Sequence, residues 1–125
     1  MPKAVVVDSV RTGLAKSFRG EFNQTRPDDM VAHVINALLE RTALKGDLVE
    51  DMVLGCGIPE ASQGNNMGRS AVARSNLPIS VSGTTVNRYC ASGLQAIAVA
   101  ACQIQSGYAD CIMAGGVESI SMIEK

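Results

Sequence analysis

Strand-like and helix-like runs alternate along the whole chain, and that alternation leaves few architectures open to it. Residues 3–9, 51–56, 83–89 and 110–114 are short runs of strand length, whereas residues 27–42, 66–75 and 91–106 carry helical patterns. The pattern predicts α/β structure: a βαβαβαβ layer with a mainly parallel sheet and helices on both faces. In such sheets the chemistry gathers beyond the carboxyl ends of the strands. The turns that follow residues 56, 89 and 114 are therefore the places to look.

The first helix has a clear start. Pro27 fits the first turn, and Asp28 and Asp29 stand at the positive end of the helix dipole. Met30, Val31, Val34, Ile35, Leu38 and Leu39 recur at helical spacing and make one buried stripe. The third helix differs, because Leu94, Ala96, Ile97, Ala98, Val99, Ala100, Ala101, Cys102 and Ile104 leave it almost without a polar face. One sheet covers only one side of such a helix, so a second layer is expected against it. Gly107 is expected to end it.

The junction before that helix carries the chemistry. In Val86-Asn87-Arg88-Tyr89-Cys90-Ala91-Ser92-Gly93-Leu94-Gln95-Ala96-Ile97-Ala98, a thiol stands where a strand gives way to a helix. The first amide N–H groups of a helix have no intrahelical acceptor and its dipole is positive there. A thiolate is favoured over a thiol, and an oxyanion on a substrate carbonyl can be cradled by the same groups. A lone cysteine before a helix is more often packing than chemistry. Here Asn87, Arg88, Tyr89 and Ser92 crowd polar groups around Cys90, which an apolar packing site does not need. Gly93 removes a side chain in the first turn, as close approach of a ligand or another backbone requires. Gly115 and Gly116 allow a tight, unobstructed turn after the fourth strand, and Glu118 reads as a buried acceptor that fixes neighbouring loops.

Other constellations are weaker. Gly55-Cys56-Gly57 opens like a dinucleotide fingerprint, but Glu60 stands where a third glycine belongs. His33, the only histidine, lies beside the apolar stripe of the first helix with nothing to orient it, and reads as solvated or at the core edge. Cys56, Cys102 and Cys111 lie in apolar runs and read as small core residues. The four cysteines form no C-x-x-C pair and have no histidines at ligand spacing, which argues against a metal site. The loops 11–26 and 57–65 are long, polar and glycine-containing, suited either to line a site or to remain solvated.

With 125 residues, 46% of them hydrophobic and few aromatic, the chain is long enough for one domain with a modest core. A net charge of -1 leaves no footprint for nucleic acid or an anionic membrane surface. No apolar run approaches the roughly 20 residues of a membrane span, and charge follows Met1 too soon for a signal-peptide core. The expectation is a cytoplasmic protein with its thiols reduced.

The segment from Val86 to Ala98 resembles the acyl-enzyme active-site segment of the thiolases, the acetyl-CoA acetyltransferase and 3-ketoacyl-CoA thiolase group. Ala114-Gly115-Gly116-Val117-Glu118-Ser119-Ile120-Ser121 resembles the Gly-Gly-x-Glu-Ser-x-Ser turn of that family, and residues 5–12 resemble its opening strand. The resemblance implies that residues 1–125 form the N-terminal domain of a two-domain thiolase fold, incomplete, with the extended loop region and the C-terminal domain absent. It implies Cys90 as the nucleophile that takes an acyl group from an acyl-CoA, with Asn87, Ser92, Gly93, Gly116 and Glu118 supporting the site or its oxyanion.

Coenzyme A would then be a substrate, and no cofactor is implied. The partners implied are acyl-CoA, coenzyme A, the C-terminal half and further copies in a dimer or tetramer. The activating histidine and a second, acid–base cysteine would come from the C-terminal half, and nothing in this chain matches their motifs. Two rivals stand beside this reading: a condensing enzyme of the ketoacyl-synthase kind, and a non-catalytic thiolase-like interaction module.

Overall fold

The computed structural model describes residues 2–124; Met1 and Lys125, the outer bounds of the expected domain, lie outside the described residues. Helix α1 spans Pro27–Thr42, strand β1 Asp51–Gly55, helix α2 Met67–Arg74, strand β2 Ser82–Val86, helix α3 Ser92–Gln105 and strand β3 Ile112–Gly116. The strands form one parallel sheet in the order β2-β1-β3. The connection from β1 to β2 runs to one side and the return to β3 runs past β1 to the other. Crossovers of one hand then place α2 and α3 on opposite faces.

The strand period of two sorts the core accordingly. Met52, Leu54 and Met113 join Val31 and Ile35 of α1 and Met67, Ala71 and Val72 of α2 in one cluster. Val53 faces the other way and packs with Ala96 and Ala100 of α3, flanked by Ile112, Ala114 and Val86. The register pairs Gly55 with both Val86 and Gly116. All three strands therefore end at one level, and the segments after them start side by side.

Local chemistry sets the helix ends. Helix α1 begins with Pro27 and two acidic residues, as the sequence predicts, and stops at Ala43 in a left-handed conformation. Asn66 caps α2: its side-chain oxygen accepts from the Arg69 N–H at 3.2 Å and from the Thr85 hydroxyl at 2.8 Å, while its amide donates to the Gly83 carbonyl at 2.8 Å. Gly107, at φ +81°, follows the end of α3, where its N–H donates to the Ile104 carbonyl.

The expected first strand is a correction. Residues 3–9 are in no strand; Val5, Val6 and Val7 are 73%, 80% and 85% exposed. Asp8 pairs with Arg41 of α1 at 2.9 Å, which ties the segment to the fold by a side chain and not by a ladder. Residues 3–17 and 110–121 both line a cavity of about 910 Å³, and the valine run makes no ladder with the outer edge of β3. The β2 and β3 strands are also displaced from their expected bounds, ending at Val86 and Gly116 instead of 89 and 114.

Replacing Asn66 by alanine removes the cap and two links to β2. We expect urea denaturation to show a loss of about 1–2 kcal/mol; unchanged stability would mean that the cap contributes nothing.

Candidate functional site

The segment between β2 and α3 is a tight elbow. Tyr89 has φ +50°, a left-handed conformation that costs a bulky residue roughly 1–3 kcal/mol and persists only when its surroundings impose it. Asn87 Oδ1 accepts from the Tyr89 N–H at 2.8 Å. The Ser92 hydroxyl donates to the Tyr89 carbonyl at 2.6 Å and accepts from the Arg88 N–H at 2.8 Å. The Ser92 N–H also reaches the Tyr89 carbonyl. Cys90 follows, exposed and free, two residues before the helix begins.

The elbow rests on glycines. A Cβ on Gly55 would come within 2.4 Å of the Ser92 carbonyl carbon and oxygen, so the backbone of α3 touches the sheet where only hydrogen fits. A Cβ on Gly116 would lie 3.2 Å from the Gly93 Cα, and one on Gly57 would lie 3.0 Å from the Tyr89 carbonyl oxygen. Close approach is thus made by the sheet's glycines. At Gly93 itself a Cβ would meet no other part of the fold within 4 Å, so the close backbone approach is made from the sheet side.

Glu118, one residue after Val117, joins the carboxyl ends of β3 and β1. Its Oε1 accepts from the Gly57 N–H at 2.8 Å. Its Oε2 accepts from the Ile58 N–H at 3.1 Å, from Gln63 Nε2 at 2.6 Å and from the Cys56 thiol at 3.7 Å. A carboxylate, an acceptor at both oxygens, suits four donors. The residue is exposed, not buried as the sequence suggests. Gln63, which the sequence reading passed over in a loop, is fully buried. Its only advance signal was position, within a long loop that follows β1.

The thiols divide by environment. Burial, and then the negative charge of Glu118, push the Cys56 thiol up to about 11. Burial and Glu50 raise Cys111 also. Cys102 is exposed among the described residues, correcting its reading as a core residue. On the same helix, α3, Leu94 and Ile97 are 72% and 48% exposed. His33 is exposed on α1. Among the described residues no group of three or more histidine, cysteine or acidic side chains is placed to hold a metal ion, and no helix is long and apolar enough to cross a membrane.

A three-stranded parallel sheet with helices on both faces, and an exposed cysteine on the elbow beyond its strand ends, is an α/β architecture. The chain belongs to the thiolase family: the family model "Thiolase, N-terminal domain" matches residues 4–125. Relatives include the 3-ketoacyl-CoA thiolase of Bacillus subtilis (strain 168), 43% identical over 123 residues, which are 98% of this chain and 32% of that protein. The 3-ketoacyl-CoA thiolases of Acinetobacter baylyi and Pectobacterium carotovorum are each 40% identical, over 95% and 98% of this chain and 30% and 32% of their own lengths. The chain therefore spans about a third of the length of the curated relatives it matches.

Two outcomes follow from this geometry. Gly55→Ala forces a methyl into the backbone of α3 and should cost about 1–3 kcal/mol in denaturant unfolding. Gly115→Ala, where a Cβ meets nothing within 4 Å, should stay within about 0.5 kcal/mol of the parent; equal losses would contradict the glycine seat. Below pH 9.0 the Cys56 thiol keeps its proton in both folded and unfolded chains, but between 9.0 and about 11 only the folded state keeps it. Stability should therefore fall across that window, and Cys56→Ala should flatten the fall measured by denaturant titrations at successive pH values.

Proposed function

We propose that the chain is the nucleophile-bearing part of an acyl-CoA acyltransferase of the thiolase type, with residues 1–125 as an incomplete N-terminal domain. The observation that carries the proposal is the exposed Cys90 on a constrained turn between β2 and α3, in a chain whose relatives are named 3-ketoacyl-CoA thiolases. The Cys90 thiolate would attack the 3-keto carbon of a 3-ketoacyl-CoA. The bond between C2 and C3 then breaks, its electron pair leaving on the acetyl-CoA enolate, which takes up a proton. The acyl group stays on sulfur as a thioester. Coenzyme A thiolate attacks that thioester, releasing acyl-CoA and returning the Cys90 thiolate. Condensation of acetyl-CoA units is the same path reversed.

The residues around Cys90 have separate tasks in this scheme. Asn87 and Ser92 spend their side chains holding the turn, so they support Cys90 without facing the substrate. The Cys90 N–H would be one donor to the oxyanion. Gly93 and Gly116 leave room beside the sulfur, and Glu118 fixes the loop beneath. The base that takes the thiol proton is a different matter. His33 sits on α1, remote in sequence and in role from the elbow, so the histidine and the second, acid–base cysteine would come from a C-terminal half. The whole enzyme would be an oligomer and, with four free cysteines, suited to a reducing compartment such as the cytoplasm.

The scheme separates acylation from turnover. The 125-residue chain alone should show thiolysis of acetoacetyl-CoA far below the roughly 10 per second typical of enzymes. Joined to a C-terminal half carrying the missing groups, it should turn over, and Cys90→Ser should abolish both the turnover and the acyl adduct seen by mass mapping. Enzyme-like turnover by the isolated chain, or an adduct on another cysteine, would refute the scheme.

A further inference from the structure

Tyr89 holds a conformation it would not adopt alone, so what stands behind it decides where Cys90 is placed. On the elbow's own side the turn is held by Asn87 and Ser92. On the other side is Gly57, wedged between two groups: a Cβ there would lie 2.9 Å from Glu118 Oε1 and 3.0 Å from the Tyr89 carbonyl oxygen. Gly57 cannot retreat from Tyr89, because its N–H is bonded to Glu118. Glu118 in turn is held by Gln63.

Gln63 bonds directly to Ile58, Glu118 and Ser119, and reaches Gly57 through Glu118. It is fully buried and uses both ends of its amide. Nε2 donates to the Ile58 carbonyl at 2.9 Å and to Glu118 Oε2 at 2.6 Å, and Oε1 accepts from the Ser119 N–H. The bonds to Glu118 and Ser119 join segments 55 or 56 residues apart in sequence, the loop after β1 and the turn after β3. A buried amide with its donors and acceptor satisfied in this way is rigid, and costly to disturb.

We infer that Gln63 is a positioning residue for Cys90: by clamping Glu118 and residues 57–58 it fixes the support on which Tyr89 and the sulfur stand. The inference rests on the proposal that Cys90 is the acyl-accepting nucleophile, but its test does not need acyl transfer. It concerns the sulfur's placement, which simple alkylation reads.

The experiment measures iodoacetamide alkylation of Cys90 against pH in the 125-residue chain by mass mapping, with the exposed Cys102 in the same molecule as reference and a thermal melt for each variant. Gln63→Leu keeps the volume and removes all three bonds. It should lower the Cys90 rate at pH 7 at least fivefold relative to Cys102 and shift the Cys90 pH–rate profile, while the profile of Cys102 stays in place. Gln63→Glu combined with Glu118→Gln restores one amide–carboxylate link with the roles exchanged and should recover part of the loss.

Gly57→Ala keeps the polar groups and pushes on the Tyr89 contact directly; it should change Cys90 in the same direction, and it provides the reading if Gln63→Leu does not fold. Should either single variant melt cooperatively with an unchanged Cys90 to Cys102 ratio and pH profile, the inference is wrong. Should the parent chain joined to its C-terminal half form no acyl adduct on Cys90 while alkylation still depends on Gln63, the functional proposal fails and the positioning role stands.

Discussion

The structure depends on the contact between the backbone of residues 89–93 and three glycines at the carboxyl ends of the strands. Gly55 and Gly116 lie directly beneath the first turn of α3, and Gly57 lies beneath Tyr89. A side chain at Gly55 would collide with the backbone of Ser92, and side chains at Gly116 or Gly57 would press on Gly93 or Tyr89. Without them the helix start, the left-handed Tyr89 and the exposed Cys90 sit within a few ångströms of the turns after β1 and β3. The parallel register makes this possible, because Gly55 pairs with both Val86 and Gly116 and brings all three ends to one level.

Much of this was legible in the sequence, and the reasons are local. The bounds of α1 follow from Pro27, two acidic residues and an unbroken apolar stripe, all within one helix's own length. The place of Cys90, between a strand and a helix after the central crossover, follows from the alternation of patterns. Periodicity also sorts Met52 and Leu54 to one face and Val53 to the other.

What stayed hidden depends on groups far apart in sequence. Residues 3–9 have strand composition, but a strand is a pairing, and here the exposed valines line a cavity and pair with no strand. Gln63 looks like any polar loop residue until it meets the turn after β3. Cys102 and Leu94 have core-like chemistry but are exposed on α3 among the described residues. The backbone crowding at the elbow falls on Gly55, Gly57 and Gly116, which approach it from other segments. In each case a residue's type was informative and its partner was not.

The same seat separates one thiol from the others. Cys56 is buried beside the negative charge of Glu118, and Cys111 is raised by burial and Glu50, so both keep their protons well above neutral pH. Cys102 is as open to solvent as Cys90 in kind, but lies in the last turns of α3, at the negative end of its dipole. The most direct measurement is therefore the rate of alkylation at each of the four cysteines in the folded chain at neutral pH, resolved by mass mapping. The account predicts Cys90 first, ahead of the equally accessible Cys102, with Cys56 and Cys111 last; equal rates at Cys90 and Cys102 would contradict it.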